Sequence, residues 1–472
     1  MKKCFIGFFV IVSLLGSLEG KDKNRNSGTQ RPPKNVIIMI GDGMGFNHVE
    51  ASGYYLYGEK GKQVFENFPV KFAASTYPAK IGEYPSKLKW AHGYDPAEYW
   101  KSFNYSKDNA TESAAAATEL STGKKTYNNS IGMDLDYKPL VNLSELAKSI
   151  GKSAGVATTV PFSHATPAAF AAHNVTRNNY PEIAKEMLLD SRLDVIIGCG
   201  HPFYDEKGMP LSSAKTYKYV GDSLIWNGLK EGRIKFNLGK EIKTLKDADG
   251  DGKPDKWTLI ENRSDFQKYM HAPAPRRLLG VAKNINTLQE SRDGDLNADP
   301  FVVPLNSNVP SLDEISLTAL NVLNNNPKGF FLMIEGGAID FANHGNQPGR
   351  MLEEMADFNK GVQAVVSWIE KYCSWDETLL IVTADHESGY LWGPEAGMPD
   401  KFSPIVNNGK GKLPGMAFYS KGHSNSLVPV FAKGRGSELL ELFADETDPV
   451  RGKFINNTEI PQTVFLLWKL KK

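Results

Sequence analysis

The sequence predicts an α/β protein built on a mostly parallel sheet with helices on both faces. Two observations carry this prediction. Short, wholly apolar runs recur along the chain with stretches of helical periodicity between them, the pattern of strands buried on both faces. Several of these runs stop at an Asp, Glu or His beside glycine, and open α/β sheets place their ligand sites just past the carboxyl ends of strands.

Residues 1–20 read as a secretory signal. Lys2 and Lys3 form its basic end, Cys4 to Leu15 its apolar core, and Gly16, Ser17 and Gly20 supply small residues near a cut. The apolar run is short for a bilayer span, so the mature chain is expected to be periplasmic or secreted, with no transmembrane segment. Residues 21–34 are a polar tail. A first strand at 36–40 is broken by G-D-G-M-G, with Asp42 between glycines. Residues 54–105, rich in aromatics and turns, suit a surface elaboration, and the rings from Tyr84 to Tyr105 are read as packing. An Ala-rich helix lies within 109–121. Another at 142–150 is capped by Asn142 or Ser144. Strands follow at 153–160 and 193–197.

Residues 204–303 are polar and weakly periodic, which suggests an insertion on the main sheet. The α/β alternation returns from 311. A buried strand at 330–334 ends in E-G-G-A-I-D-F-A-N-H, whose glycines suit a tight turn. There Asp340 and His344, four apart, share one face if the segment is helical. Residues 351–372 carry Leu352, Met355, Phe358, Val362, Val365 and Ile369 at helical spacing. A strand at 378–383 ends in Ala-Asp-His-Glu, a second insertion covers 390–422, and the last strand is 427–432. Length alone suggests about three domains of roughly 150 residues. The strand-end acids and histidines span most of the chain, however, and argue for one domain over 35–472 with insertions.

The net charge of +1 gives no electrostatic case for nucleic acid or an acidic membrane. Removal of the leader leaves Cys199 and Cys373, so disulfides are not the main support of the fold. One bridge and two buried thiols both fit.

Mixed Asp and His ligands suit zinc, and an all-oxygen subset suits magnesium. A second metal signal is D-A-D-G-D-G-K-P-D: Asp247, Asp249, Asp251 and Asp255 alternate as in a calcium loop, with Gly252 at the sharp turn. Thr258 stands where such a loop has its bidentate Glu, so a solvated acidic turn is the other reading. His92, His173, His201 and His271 have no assigned role.

Five motifs in order, I-G-D-G-M-G, E-S-A-A-A-A-T-E-L-S-T-G, H-A-T-P, E-G-G-A-I-D-F-A-N-H and T-A-D-H-E, with Arg177 and the late His423, resemble the alkaline phosphatases from Asn35 to Gly434. The resemblance implies an alkaline-phosphatase-like three-layer α/β/α sandwich. It also implies a phosphomonoester hydrolase acting on small phosphate esters through a phosphoserine. Asp340, His344 and His423 would hold one zinc, and Asp42, Asp385 and His386 a second. Asp42 would be shared with a third site of Thr166 and Glu335, bordered by His164. Ser113 would be the nucleophile, at the amino end of a helix that attracts phosphate, and Arg177 the phosphate clamp.

Three residues depart from the family pattern. Glu112 stands where Asp is usual, His164 where many members carry an acid, and Phe341 where a polar residue is common. The last two leave the third ion open between magnesium and zinc or cobalt. Thr111 is the rival nucleophile, with helix capping as its ordinary role. Two other functions compete with this one: a phosphodiesterase of the same superfamily, and a non-catalytic extracellular protein that binds zinc or phosphate. A sulfatase is disfavoured because no C/S-x-P-x-R setting occurs. Such families often form homodimers, and no interface is legible in the chain.

Overall fold

Four apolar runs, buried along their whole length, form the middle of one eleven-stranded sheet. The computed structural model describes residues 31–80, 93–398 and 400–469. The expected leader, most of the polar tail, Tyr84 and His92 lie outside them. In chain order the strands are β1 (Asn35–Gly41), β2 (Val70–Ser75), β3 (Ser153–Pro161), β4 (Val195–Cys199), β5 (Thr258–Ile260), β6 (Leu278–Val281), β7 (Phe330–Gly336), β8 (Thr378–Thr383), β9 (Val428–Gly434), β10 (Glu446–Asp448) and β11 (Gly452–Asn456). Across the sheet they run β10-β11-β2-β9-β8-β1-β7-β3-β4-β6-β5. From β8 to β5 every neighbouring pair is parallel.

The register explains why distant motifs meet. Thr158, Glu335, Ile40 and Thr383 form one row across β3, β7, β1 and β8. Whatever follows these strands therefore emerges along one edge. β9, expected as the last strand, is followed by β10 and β11 in the same sheet, and it departs from the parallel expectation by running antiparallel to β8. Its amino end thus reaches that same edge, and His423, which precedes it, arrives beside the strand ends of the others.

Ten of the helices are labelled α1 (Phe46–Tyr57), α2 (Ser113–Thr122), α3 (Leu143–Ser149), α4 (Ala165–Ala169), α5 (Tyr180–Lys185), α6 (Ser223–Lys230), α7 (Leu312–Leu323), α8 (Ala338–His344), α9 (Pro348–Tyr372) and α10 (Glu459–Lys469). One packed group joins α9 to α1, α7 and α8, and another joins α10 to α2 and α3, with α4 against α2. Asn142 caps α3, accepting from the Glu145 N–H at 3.0 Å while Glu145 reaches back to the Asn142 N–H. On α9 the stripe Met351, Met355, Phe358, Val362, Val365 and Ile369 is fully buried. Each such side chain stabilises by about 1.5–3 kcal/mol.

Three sequence expectations need correction. The stretch 204–303, read as an insertion, supplies β5 and β6 to the main sheet. The region 54–105, read as surface, holds β2, which pairs with β9 and β11. The glycines after β7 serve close approach rather than a special turn: Gly337 has helical backbone, and a Cβ there would meet Val160 at 2.8 Å. Gly43 is the position that requires glycine conformationally, with φ +76° and Ser388 Oγ 2.9 Å from where a Cβ would stand. Cys199 and Cys373 are both free thiols. Tyr99, Phe103, Tyr390 and Trp392 pack as a second apolar cluster with Tyr94, Trp100, Phe402 and Tyr419, in line with the packing reading of the aromatics.

Candidate active site

Ser113 is the first residue of α2 and 2% exposed. Its Oγ lies 3.3 Å from His386 Nε2. Two carboxylates approach the same nitrogen, Asp385 Oδ2 at 3.2 Å and Asp42 Oδ1 at 3.6 Å. Asp42 follows β1, and Asp385 and His386 follow β8, the adjacent strand.

A second group lies against the first. The helix α8 puts Asp340 and His344 on one face, with Asp340 Oδ2 3.2 Å from His344 Nε2. His423 Nε2 lies 3.5 Å from Asp340 Oδ1 and 3.0 Å from His344 Nε2. The rings of His386 and His423 stack at 3.8 Å. Ligand atoms of Asp42, Asp385 and His386 all fall within 4.8 Å of one another, as do those of Asp340, His386 and His423. His386 thus belongs to both groups, where the sequence assigned it to one.

The donor set fits a cation. His423 Nδ1 faces the Thr111 carbonyl at 2.8 Å and His344 Nδ1 the Lys421 carbonyl at 2.5 Å. Both Nδ1 atoms therefore carry a proton, and the two Nε2 atoms face each other across 3.0 Å with Asp340 beside both. Neutral rings repel in that arrangement unless a proton or metal ion lies between them. The buried oxygens agree. Both oxygens of Asp42, Asp385 Oδ2, Glu335 Oε1 and Thr166 Oγ1 have no hydrogen-bond partner among the described residues, and an orphaned buried acceptor costs about 1–3 kcal/mol.

The electrostatics follow from the same crowding. Burial, with Asp385, Asp340 and Glu335 close by, holds Asp42 well above the usual carboxylate range. Burial pushes Glu335 and Asp385 up to about 7. Burial alone would also raise Asp340, but hydrogen bonds and charge from His344 and His423 hold it well below its ordinary value. The hydrogen bond to Asp340 lifts His344 to about 9, and burial drives His386 well below the usual imidazole range. Cations bound at such a carboxylate cluster would favour its ionised forms.

Arg177 and its partners form a third part. Arg177 Nη1 donates to Glu112 Oε2 at 2.5 Å and Nη2 to His164 Nε2 at 3.2 Å. Glu112 is also the cap of α2, accepting from the N–H groups of Ala114 and Ala115 at 3.0 and 2.9 Å.

The family model for alkaline phosphatase matches residues 33–416. The chain belongs to the alkaline phosphatase family. It is 32% identical over 364 residues to alkaline phosphatase 4 of Bacillus subtilis, covering 75% of this chain and 62% of that protein. It is 27% identical over 458 residues to the alkaline phosphatase of Escherichia coli, covering 90% and 86%. The alkaline phosphatase of the Antarctic bacterium TAB5 superposes with a TM-score of 0.61 at 22% identity, over 94% of this chain and all of that one. A histidine-to-glutamate variant of the TAB5 enzyme has been solved with magnesium bound in its M3 site. The family is one of metal-dependent phosphomonoester hydrolases, and the sheet described above is its fold.

Three further features of the site bear on the expected roles. His164, expected beside the third site, lies outside both acid–histidine groups. Its Nε2 accepts from Arg177, its Nδ1 is buried with no partner among the described residues, and burial lowers it to about 3. Thr111 is not the helix cap, since Glu112 is; Thr111 instead offers its carbonyl to His423. The amino end of α2, expected to attract phosphate, is already partly satisfied by the Glu112 carboxylate.

Two residues were missed from sequence. Ser388 Oγ donates to Asp340 Oδ1 and lies 3.3 Å from His386 Nδ1. Thr158 donates to Glu335 Oε2. Nothing in the sequence marks this serine or threonine apart from its neighbours, although Thr158 lies on the strand beside β7.

The Asp247 loop lies apart from this cluster. Asp247, Asp249 and Asp251 come within 4.8 Å of one another. Asp247 accepts from the N–H groups of Gly250 and Gly252, and Asp255 from those of Ala248 and Asp249. Arg276 Nη1 lies 2.5 Å from Asp249 and 3.3 Å from Asp251, so a side-chain cation already stands where calcium was expected.

Proposed function

We propose that this protein hydrolyses small phosphate monoesters through a phosphoserine at Ser113, with zinc held by Asp340, His344 and His423 and by Asp42, Asp385 and His386. A third divalent ion, magnesium or zinc, would sit with Asp42, Thr166 and Glu335, an oxygen-only set. The observation that carries this reading is the convergence of Ser113 Oγ, Asp42 and Asp385 on His386 Nε2. When bound, the ions favour the alkoxide of a coordinated hydroxyl and stabilise the charge on the departing oxygen.

The side chains do the rest. Arg177, held by Glu112 and His164, presents its remaining N–H groups to the non-bridging phosphate oxygens. Ala114 to Ala117, fully buried, leave the space beside Ser113 free of bulk. Ser113 Oγ bonds to phosphorus as the ester P–O bond breaks, and the alcohol leaves with a proton from solvent. Water then cleaves the phosphoserine, releasing inorganic phosphate and restoring the Ser113 hydroxyl. The basic and apolar leader at 1–20 supports export, and among the described residues no helix is long and apolar enough to cross a membrane.

Ser113→Ala should abolish phosphomonoester turnover while leaving bound zinc unchanged. Wild-type protein quenched in acid during turnover should carry phosphate on Ser113. Phosphate on Thr111, or normal turnover by the variant, would overturn the assignment.

A further inference from the structure

A second crevice opens on the same edge of the sheet, at the carboxyl ends of three other neighbouring strands. His201 lies two residues beyond β4, Lys283 two beyond β6 and Glu261 one beyond β5. With Tyr204 and with Trp226 and Lys230 of α6, they line a cavity of about 590 Å³, a volume typical of small-molecule sites. The rule that gathers the catalytic residues past strand ends applies here too.

His201 forms the floor. It is 3% exposed, its Nδ1 accepts the Phe203 N–H at 3.1 Å, and its Nε2 donates to Glu261 Oε1 at 2.7 Å. Both nitrogens are thereby fixed. Tyr204 and Trp226 stand edge-on to the imidazole, at 4.7 and 5.0 Å between centroids and 88° and 75° between planes. Tyr204, half-buried, forms a wall, and Trp226, 2% exposed, extends the floor beside His201. The carboxylates of the lining are already paired: Glu261 also accepts from Lys230 at 2.5 Å, and Glu231 pairs with Arg233. Lys283 lies 5.3 Å over the Tyr204 ring and has no carboxylate or hydrogen-bond partner among the described residues. The Trp226 indole N–H and the Tyr204 hydroxyl likewise have no hydrogen-bond partner there. The crevice thus combines an aromatic wall, an aromatic floor, unused donors and one uncompensated positive charge.

We propose that this crevice binds a small ring-bearing organic anion, with its carboxylate, sulfonate or phosphate group on Lys283 and its ring against Tyr204, above the floor of His201 and Trp226. Aromatic side chains bind a flat apolar body, and a lysine–anion hydrogen bond is among the stronger polar contacts. The site is independent of every role assigned to Ser113 and the candidate metal ligands.

The probe is naphthalene-2-sulfonate, titrated calorimetrically into the metal-loaded protein. Wild type and Arg177→Ala should each bind one equivalent. Lys283→Met and Tyr204→Ala should bind roughly tenfold more weakly or worse, the size expected for losing a hydrogen bond to a charged group, and Lys283→Arg should retain most of the affinity. Methanesulfonate, which lacks the ring, and 2-naphthol, which lacks the sulfonate, should both bind weakly. The proposal is overturned if wild type shows no saturable binding or if Lys283→Met binds as well as wild type. It also fails if Arg177→Ala loses binding while Lys283→Met keeps it, which would put the probe among the catalytic residues.

Discussion

Ser388 ties the two acid–histidine groups together, because its hydroxyl donates to Asp340 and borders His386 Nδ1. A hydroxyl in that position fixes the direction of two prospective ligands at once. Partners of this kind affect metal affinity by about 10–100-fold. Ser388→Ala should therefore weaken zinc retention by that factor in competition with a chelator. Equal retention by variant and wild type would reduce Ser388 to a packing residue. Glu112 shows a different economy: one carboxylate accepts three backbone N–H groups, those of Ala114, Ala115 and Asn129, and still reaches Arg177. Charge from Arg177 and those amides outweighs burial and holds Glu112 below its ordinary value. The substitution of Glu for the usual Asp thus keeps the arginine braced.

At the scale of elements, α9 carries an unpaired acid into the core. Glu354 is 4% exposed and its Oε1 has no partner. Burial, then the neighbouring Asp357, Glu290 and Glu353, holds it well above the usual carboxylate range. A raised folded-state value means the group favours folding fully below about pH 4, the unfolded value, and that contribution is lost as pH rises toward the folded value. Glu354→Gln should accordingly flatten the decline in melting temperature between pH 5 and pH 8. Parallel pH profiles for variant and wild type would show that another group sets the slope. The Asp247 loop offers a second test. Calcium must displace Arg276 from Asp249 and Asp251 to bind there. If it does, added calcium should raise the melting temperature, and Asp249→Ala plus Asp251→Ala should abolish the response. An unresponsive wild type identifies the loop as an acidic turn closed by arginine.

At the scale of the molecule, the cluster of Asp42, Glu335, Asp385 and Asp340 binds its central strand ends together at an electrostatic cost. A cation that binds only the folded protein stabilises it by about 2.7 kcal/mol at a hundred times its Kd. Chelation should therefore lower the melting temperature. The loss should grow with pH in the chelated protein, because Glu335 and Asp385 sit at about 7 when folded and their favourable protonated forms disappear above it. Metal-loaded protein should lack that added slope, since a cation favours the ionised carboxylates. A chelated sample melting like the loaded one at every pH would remove the case for a metal-bearing fold.

The sequence by itself determined the central strands, the Ala-rich helix of Ser113, the α8 pairing of Asp340 with His344 and the acids at the strand ends, while the family resemblance supplied the roles around His386. Each rests on local pattern: an apolar run, a helical spacing of four, or a motif with acids at a strand end. Tertiary structure alone decided the rest. β2, β5 and β6 are short or polar enough to pass for loop, and they become strands because a neighbouring edge satisfies their backbone groups. The arrival of His423 depended on β9 running antiparallel. The sharing of His386, the bracing of Arg177 by His164, the bridge through Ser388 and the His201 crevice all join residues far apart in the chain. Their contacts depend on strand order and register, which no local pattern encodes.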